Sequence, residues 1–189
     1  MTQKLNQQEQ NTLLIIARDA IIAAVDDLPE KNLNSYPLSS ALMDIGASFV
    51  TLSKSGHLRG CIGTIMASQA LAKDVQLRAQ QAATEDPRFP RVQAHELPHI
   101  LIEISRLTIP QPLIYSNPNE LPELLTPYQD GVILEDGFRR ATFLPQVWEQ
   151  LPKPEDFLTH LCHKMGAEGG LWKTKRLDVS IYKVESFSE

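Results

Sequence analysis

The sequence has few cysteines and no long apolar run. These two features argue against a disulfide-rich secreted domain and against a membrane-spanning protein. Only Cys61 and Cys162 occur among 189 residues. Two distant thiols in a chain of this size are not a disulfide framework of the kind found in small secreted domains. No segment has the ~18 consecutive apolar residues that a membrane-spanning helix needs, and the polar start MTQKLNQQEQN lacks the apolar core of a secretory signal. We therefore expect a cytoplasmic protein with reduced thiols and no membrane association.

Basic charge is also scarce. The chain carries 18 Lys and Arg against 23 Asp and Glu, for a formal net charge of −5. General nucleic-acid binders usually show a basic excess or a long basic stripe, so nucleic acid is a disfavoured partner. Apolar residues make up 42% of the chain and charged residues 22%, which is enough to build a globular core.

The spacing of apolar residues predicts several helices interspersed with antiparallel hairpins. The predicted helices are 7–25, 68–83 (with Ser68 as its N-cap) and 155–165. The predicted strands are 100–109 and 177–187, with one hairpin turning at Ser55-Gly56 and a second at Asp136-Gly137. Regular βαβ alternation is missing, so we expect the α+β class. We expect residues 1–189 to form one unit with two lobes, divided near the prolines of 110–122.

Six segments, taken in order, resemble one known family. They are Phe49–Leu52 with Gly56–Thr64, Asp86–Pro90, Glu96–Pro98, Ile102–Ser105, Ala141–Val147 and Leu161–Gly166. Together they resemble the AMMECR-type domain family over about 47–187. Two positions depart from the family pattern, since Arg91 stands where proline is common and Met165 where a small residue is usual.

The resemblance implies a two-lobed α+β protein and supplies neither a substrate nor a cofactor. Bacterial and archaeal members are often called protein A of the AmmeMemoRadiSam system, beside a Memo-family protein and a radical-SAM enzyme. A Memo-type or radical-SAM protein is therefore the partner that the resemblance suggests.

The segment Leu58–Thr64 is the most informative part of the chain. In a strand, alternation places Arg59, Cys61 and Gly63 on one face. A guanidinium ~6–7 Å along the strand from a thiol favours a reactive thiolate, and Gly63 leaves a slot beside the sulfur that a ligand can enter. The alternative is structural, because cysteine often acts as a small buried hydrophobe and strand glycines often mark a bulge or tight packing.

Five further residues are candidates for binding. They are Gly60 and Thr64 in the same segment, Asp86 and Arg88 in the predicted loop 84–90, and Thr142 in the second hairpin. Two prolines, Pro87 and Pro90, make this loop stiff. Arg88 is either aimed at a carboxylate or phosphate, or paired with Asp86, which can cap the local turn. Thr142 either binds a ligand through its hydroxyl or is simply a good strand residue.

No metal or nucleotide motif is present in the sequence. His160 and His163 lie three residues apart with Cys162 between them, but zinc-type ligand spacing is missing. Cys162 instead falls on the apolar stripe of a helix. The sequence also contains no glycine-rich phosphate loop and no Gly-x-Ser-x-Gly elbow.

Two functions remain open from the sequence. The first is a small-molecule-handling enzyme with Cys61 as its catalytic residue, and with Arg59 and Arg88 as binding residues. The second is a protein-interaction module that is accessory to a Memo-type or radical-SAM partner. The sequence predicts no particular cofactor.

Overall fold

The computed structural model describes residues 4–189 and confirms the α+β class. In this range there are six α-helices: α1 Gln7–Val25, α2 Ser40–Met43, α3 Leu71–Thr84, α4 Leu121–Leu124, α5 Pro154–Lys164 and α6 Leu171–Thr174. The strands of the same range are β1 Ile45–Lys54, β2 His57–Gly63, β3 Gln69–Ala70, β4 Ile100–Leu107, β5 Gln111–Pro112, β6 Gly131–Asp136, β7 Arg139–Phe143, β8 Asp178–Tyr182 and β9 Val184–Ser188. None of the helices in 4–189 is long and apolar enough to cross a membrane.

The chain divides into two compact units. The first extends to Leu107 and takes in the final residues Glu185–Glu189, while the second is Thr108–Val184. Each unit has its own cluster of buried apolar side chains. The second unit is therefore an insertion into the chain of the first. That the two together act as one AMMECR-type domain stays a prediction.

The first unit is built on a five-stranded sheet. Its strand order is β2-β1-β4-β9, with the short β3 beside β1, and β1 pairs antiparallel with both β2 and β4. α1 and α3 contribute buried residues such as Ile16 and Val75 to the same cluster as Val50 and Ile102 of the sheet. β2 is an edge strand, so half of its backbone polar groups have no strand partner on the outer side.

The second unit is built on a four-stranded sheet with strand order β5-β8-β6-β7. Its core centres on α5, where Phe157 stacks on Trp148 with ring centroids 3.8 Å apart. The predicted hairpin is confirmed, because β6 and β7 pair antiparallel on either side of Gly137, which has a positive φ of 62°.

Two predicted elements are wrong in their bounds. Ser68 does not cap α3, because Gln69 and Ala70 pair with the start of β1 and delay the helix to Leu71. The predicted strand 177–187 is two strands. It is divided at Lys183, whose backbone N–H donates to the Thr108 hydroxyl at 2.9 Å and whose carbonyl accepts from the Thr108 N–H at 2.9 Å.

Candidate functional site

The β1–β2 hairpin carries the candidate site and contains a bulge. Ser55 and Gly56 form its two-residue turn with φ values of 52° and 79°, as a type I′ turn requires. Leu52 pairs with Gly60, whereas Ser53 pairs with Leu58. Arg59 is therefore the extra residue of a bulge, and strict alternation of side chains is broken at this point.

Cys61 lies opposite Thr51 across the hairpin. The Thr51 hydroxyl donates a hydrogen bond to the Cys61 Sγ at 3.3 Å, and Cys61 is half-buried. Thr51 is a site residue that the sequence did not identify. Counting from the turn without a bulge would place Cys61 opposite Val50, so only the bulge makes the pair.

The ion pair of Asp86 and Arg88 is hydrogen-bonded to the backbone of Cys61 at the outer edge of β2. The Asp86 Oδ2 accepts from the Cys61 N–H at 2.8 Å, and the Arg88 Nη2 donates to the Cys61 carbonyl at 3.2 Å. Both polar groups are thus satisfied by side chains in the place where a neighbouring strand would lie. Asp86 is buried, whereas the side chain of Arg88 is 54% exposed.

Asp86 and Arg88 are also bound closely to each other. The Asp86 Oδ1 accepts from the Arg88 N–H at 3.0 Å and from Nε at 2.9 Å, and Oδ2 accepts from Nη2 at 2.7 Å. The Arg88 guanidinium holds the pKa of Asp86 well below its usual range. Conversely, Asp86 raises the pKa of Arg88, and the nearby Cys61 thiol adds a smaller contribution in the same direction. Both partners are therefore charged at neutral pH.

Arg59 is engaged in a second ion pair. Its Nε and Nη2 donate to the two carboxylate oxygens of Glu96 at 3.1 and 2.9 Å, and Nη1 donates to the Pro90 carbonyl at 2.8 Å. The Lys54 Nζ is a further partner of Glu96 at 2.8 Å. Arg59, followed by Lys54, lowers the pKa of Glu96. Arg59 thus attaches the loop after α3 to the hairpin. The guanidinium next to Cys61 is that of Arg88 and not, as the sequence predicted, that of Arg59.

The slot predicted beside Cys61 is absent, and that expectation is wrong. A Cβ on Gly63 would lie 2.3 Å from Cγ of the Phe49 ring, so the ring already fills the space above this glycine. Gly60 is equally confined on the opposite face, where a Cβ would lie 2.2 Å from the Ala82 carbonyl oxygen of α3. Both glycines permit close packing, which is the structural alternative that the sequence left open.

The hydroxyls of the two candidate threonines, Thr64 and Thr142, form hydrogen bonds with nearby groups of the protein. The Thr64 Oγ1 accepts from the Met66 N–H at 3.1 Å, in the turn that follows β2. Thr142 belongs to the second unit, where its Oγ1 donates to the Val132 carbonyl at 2.8 Å and lies 3.0 Å from the Tyr182 hydroxyl. Burial raises the pKa of Tyr182 to about 12. The structure thus brings Cys61, Asp86 and Arg88 together, with Thr51 added and Arg59 directed elsewhere.

Cys162 is fully buried in the core of the second unit, and burial raises the pKa of its thiol. This placement confirms the prediction that Cys162 is a packing residue. Across residues 4–189 we find no group of three or more His, Cys, Asp or Glu side chains able to hold a metal ion.

Two surface clefts of the first unit lie away from Cys61. One, of about 450 Å³, is lined by residues of α1 and by the chain end at Ser188 and Glu189. The other, of about 350 Å³, lies at the C-terminal ends of α1 and α3 and includes Arg91. The Cys61 site is by contrast a local cluster on the sheet.

The sequence profile of the AMMECR1 family matches residues 14–187. This chain belongs to the AMMECR1 family. A relative from Thermofilum pendens is 39% identical over 203 residues, covering 98% of this chain and 92% of the relative. Another, from Methanosarcina mazei, is 35% identical over 162 residues, covering 85% of this chain and 80% of the relative. The crystal structure of an uncharacterized protein from Pyrococcus horikoshii is similar with a TM-score of 0.85 and 29% identity, over all of this chain and 94% of that one.

These matches confirm the family resemblance that the six ordered segments indicated. For this AMMECR1-family protein they establish the fold, and they carry over neither a substrate nor a partner.

Proposed function

We propose that this AMMECR1-family protein is a small-molecule-handling enzyme whose reactive group is the thiol of Cys61. One observation carries the proposal: the half-buried Cys61 accepts a hydrogen bond at its sulfur from Thr51, and its backbone carbonyl accepts one from the half-exposed guanidinium of Arg88. Reactive cysteines are typically found in partly exposed, electropositive surroundings of this kind, whereas structural cysteines are buried and inert.

Each neighbour has a distinct role in this proposal. Asp86 and Arg88 bind the N–H and carbonyl of Cys61 and so fix the backbone that carries the thiol. The Thr51 hydroxyl orients the sulfur through its hydrogen bond. Among the described residues no histidine is hydrogen-bonded to Cys61, so we assign the departing thiol proton to solvent or substrate.

The first test is alkylation of the folded protein with iodoacetamide, followed by mass spectrometry, with Cys162 as the internal reference. We expect Cys61 to react at least about tenfold faster than the buried Cys162. Thr51→Val should slow the reaction of Cys61, because it removes the hydroxyl while keeping the shape of the side chain. Ser53→Ala, on the same strand, is the matched control and should leave the rate unchanged. A Cys61 that reacts only when the protein unfolds would refute the proposal.

A second candidate function is an accessory module for a Memo-type or radical-SAM protein. The observation in its favour is Phe138, a residue that is 97% exposed at the tip of the β6–β7 hairpin. Exposed aromatic side chains of this kind are common anchors in protein interfaces. Co-purification with each partner, using wild type and Phe138→Ser, tests the idea. A protein that stays monomeric and binds neither partner would eliminate it.

A further inference from the structure

The Nη1 edge of the Arg88 guanidinium donates no hydrogen bond to any of residues 4–189. Its Nε and Nη2 donate to Asp86, and Nη2 also donates to the Cys61 carbonyl. In the described part of the chain Nη1 has no hydrogen-bond partner, although its two N–H groups lie on a side chain that is 54% exposed. These donors are available to a molecule from solution.

The ion pair presents its positive end outwards. The side chain of Asp86 is only 2% exposed, so the carboxylate lies beneath the guanidinium that it neutralises. An anion that approaches the Nη1 edge meets the positive charge at hydrogen-bond distance, while the buried carboxylate is farther away. Because Asp86 already fixes the guanidinium, little side-chain entropy is lost when an anion binds.

We propose that the Nη1 edge of Arg88 binds a carboxylate or phosphate group of the molecule on which Cys61 acts, so that the substrates are small anions. This inference rests on the proposed function of Cys61 and adds the substrate class. The Cys61 thiol and the Arg88 guanidinium then act on neighbouring parts of one molecule, since Arg88 is hydrogen-bonded to the backbone carbonyl of Cys61 itself.

Two alkylating reagents that differ mainly in charge test the inference. Iodoacetate and iodoacetamide both react when the Cys61 thiolate forms a C–S bond to the CH2 carbon and iodide leaves. The ratio of the two rates cancels any change in the thiolate fraction, because both reagents consume the same thiolate. We normalise this ratio to that of Cys61 in the urea-unfolded protein.

In the folded protein at low salt, we expect the normalised ratio to favour iodoacetate by about two- to fivefold, the size of an exposed ion-pair effect. Arg88→Gln should return it to one. Arg139→Gln removes an arginine that is likewise paired with a nearby aspartate, Asp136, but lies in the second unit, and it should leave the ratio unchanged. Protection of Cys61 by inorganic phosphate compared with acetate shows which anionic group binds better.

The outcomes separate the two proposals. If Cys61 reacts readily but the normalised ratio is one in both wild type and Arg88→Gln, the anion site is refuted. The proposal of a reactive thiol then still stands. If Cys61 reacts with neither reagent until unfolding, both proposals fail. Should Arg88→Gln not fold, the salt dependence of the wild-type protein decides, because charge attraction must weaken between low and high salt. A salt-independent ratio overturns the inference.

Discussion

Gly60 shows why the motif around Cys61 contains glycine. The backbone of β2 comes so close to α3 that a Cβ on Gly60 would lie 2.2 Å from the Ala82 carbonyl oxygen. A backbone oxygen at a helix end cannot move aside as the tip of a flexible side chain can. Close packing of a helix on an edge strand therefore requires glycine here, independently of any chemistry at Cys61.

We predict that Gly60→Ala destabilises the protein by about 1–3 kcal/mol, the usual cost of overpacking. Gly170→Ala is the matched control, since no atom lies within 4 Å of its added Cβ, and it should change stability by less than about 0.5 kcal/mol. Urea unfolding of both variants makes the comparison. Equal unfolding midpoints would show that β2 and α3 separate easily.

Glu96 makes a pH-dependent contribution to stability. Arg59 and Lys54 lower its pKa in the folded state, so folding favours the ionised carboxylate. The resulting stabilisation is complete above the ordinary glutamate pKa of about 4.3 and is lost as the pH falls from there towards the lower folded-state pKa.

Accordingly, Glu96→Gln should lower the free energy of unfolding by about 1–2 kcal/mol at pH 7, a value reduced by the partial exposure of Lys54. The difference from wild type should shrink below about pH 4, where the unfolded wild-type chain takes up the proton. Urea titrations at several pH values measure both effects. Glu103→Gln, at an exposed position, is the control. If the difference in free energy of unfolding between wild type and Glu96→Gln stayed the same at every pH, this prediction would be wrong.

Among the elements, the edge strand β2 and the loop after α3 depend on each other. Charged side chains join them at two points, Asp86 with Arg88 at the backbone of Cys61 and Glu96 at Arg59. Val92 fixes the same loop by burying its side chain in the core of the first unit. Occupied polar groups on β2 also block another strand from pairing at this edge, a common protection against aggregation.

The turn of the β1–β2 hairpin can be improved. Ser55 adopts a φ of 52° in the first central position, where asparagine is preferred in type I′ turns. We predict that Ser55→Asn raises the free energy of unfolding by about 0.5–1 kcal/mol, because less backbone strain remains in the folded state. Ser55→Val should lower it, since a β-branched residue tolerates positive φ poorly. Thermal unfolding measures both variants, and the reverse order would mean that the turn does not limit the stability of the hairpin.

The insertion of the second unit has a consequence for how the chain folds. Within the first unit, Ser105 of β4 lies 2.9 Å from Ser186 of β9, hydroxyl to hydroxyl, and Arg106 pairs with Glu185 at 3.4 Å. The chain thus leaves and re-enters the first unit at adjacent points. A short hairpin turn could join these two strands directly.

We therefore predict that replacing Thr108–Lys183 with Asn-Gly leaves a folded first unit, because its buried apolar cluster contains no residue of the deleted segment. The expected result is a cooperative thermal transition with retained helical circular dichroism. The isolated segment 108–184 serves as the companion sample, since it has a separate core. A shortened chain that is unfolded or aggregated would show that the first unit requires the second.

Local pattern was sufficient for much of the fold. Helical spacing predicted α1 and α5, and the turn sequences Ser55-Gly56 and Asp136-Gly137 predicted both hairpins. Each of these signals depends only on residues that are neighbours in the chain. Pro87 and Pro90 predicted the loop of Asp86 and Arg88, and the hairpin pattern predicted the strand of Cys61. The chemistry of the two side chains left open, correctly, that Arg88 pairs with Asp86.

Tertiary pairing decided the details of the candidate site. The bulge at Arg59 arises from the register of β2 against β1, and it alone places Thr51 opposite Cys61. The ring of Phe49, on the neighbouring strand, fills the space over Gly63. Arg59 forms an ion pair with Glu96, 37 residues away in sequence, instead of lying beside Cys61. The sequence determined which residues with reactive side chains are present and which elements carry them. Which of these residues meet depended on strand register and on long-range ion pairs, because neither follows from the spacing of residues along one segment.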